Sequence, residues 1–284
     1  TGINYSHPDL GGCYGNNDVS SSCKVIGGWD YYNSDSNPYD DHGHGTHVAG
    51  IVAANGTIRG VAPDAKIIAI KACNAAGSCS DDAINAGINF CVNNASRFNI
   101  SVISLSLGAG SYSNYCNTDS LAAAIDAAVA KNISVTIATG NAGSYTTISA
   151  PACVQSAIPV GSSTKLNTIS TFSNTNSLVQ LLAPGGDGSG NALNNINSTY
   201  LSASGYGSIF GTSMATPHVA GAIAIINQYL SATSQTRTPQ QIESVLNATG
   251  FGIKDVGFSG LTFYRINVYD ALISFNMTLT LQSP

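Results

Sequence analysis

The chain has 284 residues, 43% of them hydrophobic and only 9% charged, with 30 glycines and a formal net charge of -5. That is enough apolar material for one large core in a single domain, and too few cations for a nucleic-acid surface. No run of 18 apolar residues occurs, so no membrane-spanning helix is expected.

From there the chain alternates short apolar runs with small-residue helices. Residues 24–27 read as a strand, followed by a loop rich in turn formers and oxygen donors at 30–38. Asp41-His42-Gly43-His44-Gly45-Thr46-His47 then leads into a small apolar helix at 48–54. A strand at 66–73 precedes a helix at 80–93, where Ile84, Ile88 and Cys91 recur at helical spacing behind Ser80-Asp81-Asp82. Strands at 101–107 and 133–138 flank an alanine-rich helix at 120–131, and further strands fall at 157–161 and 179–183. Helices are predicted at 218–230 and, behind the cap Thr238, at 239–247. The tail at 273–281 reads as a last strand or the start of another module. Such alternation predicts an α/β fold, a mostly parallel twisted sheet covered by helices on both faces, with its site beyond the carboxyl ends of the strands.

Three segments carry candidate chemistry. Gly211-Thr212-Ser213-Met214-Ala215-Thr216-Pro217 places a serine where a turn becomes a helix, with Pro217 suited to the first turn and free amides nearby to receive negative charge. A serine needs a base, and an imidazole at a glycine-flanked helix entry supplies one. The strand at 133–138 ends in Thr139-Gly140-Asn141, which brings a carboxamide to the same rim. Taken singly, Ser213 reads equally well as a helix cap and Asn141 as a turn residue. His42, His44 and His47 beside Asp40 and Asp41 also read as a zinc or copper cluster, which leaves Ser213 and Asn141 unexplained.

Together the segments resemble the subtilisin-like serine proteases, the subtilase family (peptidase family S8), in its proteinase K and thermitase branches. His44 to Gly50 matches the histidine motif HGTHVAG, Gly140-Asn141 the oxyanion motif, and Gly211 to Gly221 the serine motif GTSMATPHVAG. The resemblance implies a three-layer subtilisin-like peptidase domain over residues 1–271, with 272–284 as a tail or the start of a further segment. It implies His44 as general base, Ser213 as nucleophile and Asn141 as oxyanion donor beside the Ser213 amide, His47 and His218 being structural. It implies a secreted, monomeric endopeptidase made with an N-terminal propeptide, acting on polypeptides with broad specificity and needing no cofactor for its chemistry.

One departure stands out. Thr1-Gly2-Ile3 and His7-Pro8-Asp9-Leu10 match the residues after the family's catalytic aspartate, so that acid is expected immediately before Thr1, and the first core strand with it. Asp9, Asp40 and Asp41 do not replace it in the family pattern, and the chain without it is expected to be nearly inactive. The alternative is a noncatalytic subtilase-like binding domain.

By the same resemblance, Ser106, Leu107 and Gly108 form one substrate edge and Gly77 and Ser78 the other. Ser106 to Gly108 and Ala138, Thr139 and Gly140 wall a primary pocket suited to bulky apolar side chains, which Thr139, in place of the usual alanine, narrows and polarises. Asp30, Asn33, Asp35 and the Asn37 carbonyl look like a thermitase calcium loop; a structural calcium and a merely solvated turn both fit. Seven cysteines in this composition point to an oxidising compartment. Cys13 and Cys23 bracket a polar loop, Cys73 and Cys79 close a short turn, and in the family Cys116 and Cys153 flank loops around the Asn141 strand. Cys91 is left over as a buried thiol.

Overall fold

The computed structural model describes residues 1–256 and 259–281. The first half contains β1 (Val25–Asp30), α1 (His44–Ala53), β2 (Ile67–Lys71), α2 (Asp81–Asn93), α3 (Ala95–Phe98), β3 (Val102–Leu105), β4 (Ala109–Tyr112), α4 (Ala122–Ala130) and β5 (Ser134–Ala138). The second contains β6 (Ile148–Ala150), β7 (Ile158–Ser163), β8 (Leu181–Pro184), β9 (Ile196–Thr199), β10 (Tyr206–Ile209), α5 (Thr212–Ala232), α6 (Pro239–Ala248), β11 (Phe251–Lys254), β12 (Thr262–Arg265) and α7 (Val268–Leu281).

Successive side chains on the central strands go to opposite faces, which builds two cores from one sheet. Ile103, Val135, Ile137 and Leu182 pack with Ile84 and Ile88 of α2 and Ile125 of α4. Ile158, Val160, Leu181 and Ala183 pack on the other side with Ile223 and Ile226 of α5 and Leu246 of α6. The result is the expected three-layer α/β arrangement with a mostly parallel sheet. Strand order is β11-β12-β8-β7-β5-β3, parallel except for the β11–β12 hairpin. β1 and β2 form a separate parallel pair. The sheet is thus split between β2 and β3, where the sequence reading leaves out a strand.

Every predicted strand before residue 184 has its counterpart, and α6 begins at its capping box, Thr238 with Gln241. Two helices start earlier than periodicity suggests: α1 at His44 rather than 48, and α5 at Thr212 rather than 218. Residues 268–281 form α7 and not a strand. Its Ala271 and Phe275 lie in the core shared with α5 and α6, so the expected tail begins within a helix anchored to the domain. Residues 282–284 of that tail lie outside the described residues. The short pairs β4–β6 and β9–β10 have no counterpart in the sequence reading; four residues or fewer per strand leave little alternation to read. Disulfides join Cys13–Cys23, Cys73–Cys79 and Cys116–Cys153, and Cys91 is free and buried, its thiol pushed up to about 12 by desolvation.

Candidate active site

Ser213 is the second residue of α5, and the helix begins there for a reason outside itself. Its N-cap, Gly211, has no side chain, so the first amides need a borrowed acceptor. Asn141, at the end of β5, supplies it: its Oδ1 accepts from Thr212 N at 2.8 Å and Thr212 Oγ1 at 2.9 Å. With the oxygen fixed on two donors, the Nδ2 amide is the end left for a ligand. Pro217 falls in the second turn, not the first. Having no N–H, it leaves the Ser213 carbonyl without its helical partner, and Ser106 Oγ donates to that carbonyl at 2.7 Å. Ser213 Oγ in turn points to the Ser106 carbonyl at 3.4 Å. The structure therefore gathers Ser106, Asn141 and Ser213 at the carboxyl ends of β3 and β5.

His44 is the first residue of α1, again behind a glycine cap. Gly43 has φ +104°, and a Cβ there would lie 2.7 Å from the Tyr200 ring. Asp40 caps the helix instead. Its Oδ1 accepts from His42 N and Gly43 N at 3.0 and 2.9 Å, and its Oδ2 from Thr46 N and Oγ1 at 2.8 and 2.6 Å. Burial opposes that charge, but these four donors at a helix N-terminus hold the carboxyl below its usual range. Asp41 pairs with the buried Lys71 at 2.6 Å, and Lys71 also donates to the carbonyls of Thr1 and Cys73. Both acids are committed, and no hydrogen bond joins the His44 ring to a carboxylate or to Ser213 among the described residues. Desolvation first, then the Thr1 ammonium and the neighbouring histidines, lowers His44 to about 4, so it is a neutral base at pH 7.

His47, fully buried, donates from Nε2 toward the Ile196 and Gly207 carbonyls at 3.0 and 3.1 Å, and its Nδ1 has no partner. Among the described residues no group of three His, Cys, Asp or Glu could hold a metal, which leaves the zinc or copper reading without support. Burial lowers its pKa from 6.5 to about 4. Between those values the unfolded chain binds a proton that the folded state refuses. The contribution to stability is therefore complete above pH 6.5 and lost as pH falls toward 4, on the order of 3 kcal/mol. Urea midpoints should fall through that window, and His47→Gln should reduce the slope; an unchanged slope would place the acid sensitivity elsewhere.

The Asn141 loop is held by a residue that sequence reading passes over. Asn174, buried, accepts from Ala142 N and Ser144 N at 2.9 and 3.1 Å and donates to the Thr139 carbonyl at 3.1 Å. Only the Ser-Asn pair at 173–174, an amide amid small residues, hints at it. Gly140, at φ +102°, leaves no room for a Cβ, which would meet Asn174 Nδ2 and Ser149 Oγ at 2.5 Å. Thr139 Oγ1 donates to the Asn174 carbonyl at 2.9 Å, so its hydroxyl is spent inside the wall and does not polarise the pocket as expected. Gly108 abuts the Ala150 carbonyl, where a Cβ would come to 2.9 Å. Gly77 and Ser78 lie in the turn closed by Cys73–Cys79; Asn74 Oδ1 accepts from Ser78 N at 3.0 Å, and Gly77 faces His42.

The loop at 30–38 is organised by nitrogen donors. Asp30 Oδ1 accepts from Tyr32 N and Asn33 N at 2.9 Å, and its Oδ2 from Asn33 Nδ2 at 2.8 Å. Asp35 Oδ1 accepts from Asn37 N at 2.8 Å, and Asn37 Oδ1 from the Tyr5 hydroxyl at 2.6 Å. Calcium needs about six to eight converging oxygens, whereas Asn33 presents its NH2 to Asp30. Among the described residues no group of three His, Cys, Asp or Glu could hold a metal. The donors as they stand make a turn held by amides. Chelation by EDTA should leave the Tm unchanged, and a fall in Tm would show that a cation displaces these donors.

The model of the subtilase family, peptidase S8, matches residues 1–262. Thermitase of Thermoactinomyces vulgaris is 37% identical over 279 residues, which cover 96% of this chain and 86% of thermitase. A thermophilic serine proteinase of Bacillus sp. (strain AK1) is 36% identical over 96% of this chain but 60% of its own length. Among solved structures, a cold adapted subtilisin-like serine proteinase aligns with a TM-score of 0.75 at 31% identity, over 94% of this chain and 86% of that one. A lanthipeptide protease shares the fold with a TM-score of 0.78 at 24% identity, over 97% and 86%.

Proposed function

The chain belongs to the subtilase family of serine proteases, and from that membership we propose that it is a secreted endopeptidase working by acyl transfer through Ser213. The observation that carries the reading is the Asn141–Thr212–Ser213 junction. One carboxamide starts the helix bearing the hydroxyl through its oxygen, which leaves its NH2 as the end available to a ligand. Ser213 Oγ attacks a peptide carbonyl and passes its proton to His44. Asn141 Nδ2 and the Ser213 backbone N–H hold the oxyanion. His44 returns the proton to the leaving amine, and water, deprotonated in turn by His44, releases the acyl group. Subtilases need no cofactor for these steps.

Hydrogen bonds at an empty site tighten when substrate arrives, so the unmade His44–Ser213 bond is compatible with this role. Without a carboxylate on its ring, the imidazolium formed during attack would be poorly stabilised. Three disulfides support an oxidising, extracellular setting. Glycines at 108 and 140 and a spent Thr139 hydroxyl support a preference for apolar side chains before the scissile bond. Peptide p-nitroanilides ending in Phe or Leu should be cleaved faster than those ending in Asp or Lys. Cleavage of none, together with no fluorophosphonate labelling of folded protein, would refute the reading.

A further inference from the structure

Of the seven cysteines, Cys79 alone is exposed. Cys116 and Cys153 are both buried, Cys23 is buried and its partner Cys13 half-buried, and Cys73, the partner of Cys79, is buried. Thiol exchange requires access to a sulfur, so the three bridges are not equivalent. The accessible one joins positions six residues apart in the turn that follows β2. Little else holds that turn. Residues 75–79 are all exposed and none of them enters a core cluster. Its other hydrogen bonds run through Asn74. Asn74 N donates to the Ser78 carbonyl at 2.9 Å, the Asn74 carbonyl accepts from Gly77 N at 2.9 Å, and Asn74 Oδ1 accepts from Ala76 N and Ser78 N at 3.0 Å. Asn74 Nδ2 ties the turn to the Tyr32 hydroxyl at 2.9 Å. On its inner side Gly77 lies against His42, where an added Cβ would stand 3.3 Å from Nε2, and the His42 and His44 rings are 6.3 Å apart. The bridge therefore shapes a turn that abuts the histidine motif.

We propose that the Cys73–Cys79 bridge is a thiol-exchange site that governs peptide binding: a small thiol attacks Cys79, opens the ring and loosens the edge formed by Gly77 and Ser78. Atoms and electrons balance without an oxidant. The incoming thiolate forms a bond to Cys79 Sγ as the bond to Cys73 Sγ breaks; the electron pair leaves on the Cys73 sulfur, which takes up the proton lost by the thiol, and Cys79 carries a mixed disulfide. Opening returns conformational freedom to the turn. A peptide pairing with residues 77 and 78 must then remove that freedom, and the attached thiol adds bulk beside the same edge. Ser213 and Asn141 are held by bonds in which this turn takes no part, so the nucleophile keeps its reactivity. The effect falls on affinity and not on chemistry. The role of Gly77 and Ser78 as a substrate edge rests on the protease reading; the selective opening of the bridge does not.

The test exposes the folded protein to reduced glutathione and maps the products by mass spectrometry after trapping free thiols with iodoacetamide. Glutathione should appear on Cys79 and the trapped thiol on Cys73 while the other two bridges are still closed. Opening of Cys13–Cys23 or Cys116–Cys153 ahead of Cys73–Cys79 overturns the site. An untrapped portion is titrated by calorimetry with an uncleavable phenylalanine peptide, its scissile amide replaced by a methylene-amine. Affinity should fall by about tenfold on exchange and return when the bridge is re-formed, with fluorophosphonate labelling of Ser213 unchanged in rate. The double variant Cys73→Ser, Cys79→Ser lacks the bridge without the added bulk; it should bind the peptide weakly and no longer respond to glutathione. No binding by the bridged protein, or equal affinity in the bridged, exchanged and variant forms, overturns the control of peptide binding. Weakened peptide binding with no labelling of Ser213 in any form refutes the protease reading and leaves the exchange site standing.

Discussion

Ser213→Ala is expected to abolish fluorophosphonate labelling, and the size of its effect on hydrolysis should depend on whether His44 has an acidic partner. Members of a catalytic unit are not additive. In subtilisin, loss of the serine alone costs about 2 × 10⁶ in turnover and loss of the acid alone about 3 × 10⁴. In this chain the Asp40 and Asp41 carboxylates are tied to the cap of α1 and to Lys71, and His44 is held near pKa 4 by burial. The serine then has less catalysis left to lose. Its removal should lower peptide cleavage by about 10²-fold where His44 has no carboxylate partner, and by about 10⁶-fold where a carboxylate reaches the ring. Active-site titration followed by steady-state cleavage measures both. A fall of the same size with and without the carboxylate would mean that His44 does not serve Ser213.

Asn141→Ala should reduce kcat by about 10²- to 10³-fold, the usual cost of one oxyanion donor, with KM little changed. Here the substitution removes more than a donor. Oδ1 is also the acceptor for the first amide and hydroxyl of α5, so alanine leaves Thr212 N without its cap at a cost of about 1 kcal/mol in stability. Asn141→Asp separates the two effects. It keeps the acceptor for Thr212, and so the cap, but replaces the NH2 donor by an oxygen. Its kcat should fall as in the alanine variant while its Tm stays near that of the parent. Equal losses of stability in both variants would show that the carboxamide oxygen is not what starts the helix.

Much of this architecture can be read along the chain. Apolar runs near residues 25, 67, 102, 134, 158 and 181 each become a strand, those at 134, 158 and 181 buried at nearly every position because a parallel strand covered on both faces must be apolar throughout. Short spacing points to Cys13–Cys23 and Cys73–Cys79, and the family resemblance to Cys116–Cys153; all three are present, with Cys91 as the single buried thiol. The starts of α1 and α5 cannot be read in the same way. Both follow a glycine, and the groups that cap them, Asp40 and Asn141, lie outside the local cap position, the second of them about 70 residues away. Asn174 is invisible for the same reason, because a buried amide that staples a distant loop leaves no periodic trace.

Sequence by itself determined the alternation of strands and helices and the family, and it proposed Ser213, His44 and Asn141 as the residues for acyl chemistry. These are properties of residue type and spacing, which survive without coordinates. Tertiary structure decided how those groups are held: a carboxamide borrowed to begin a helix, a proline that frees a carbonyl for Ser106, and two acids spent on a cap and a lysine. Each depends on which donor meets which acceptor across the chain, and only packing in three dimensions settles that pairing.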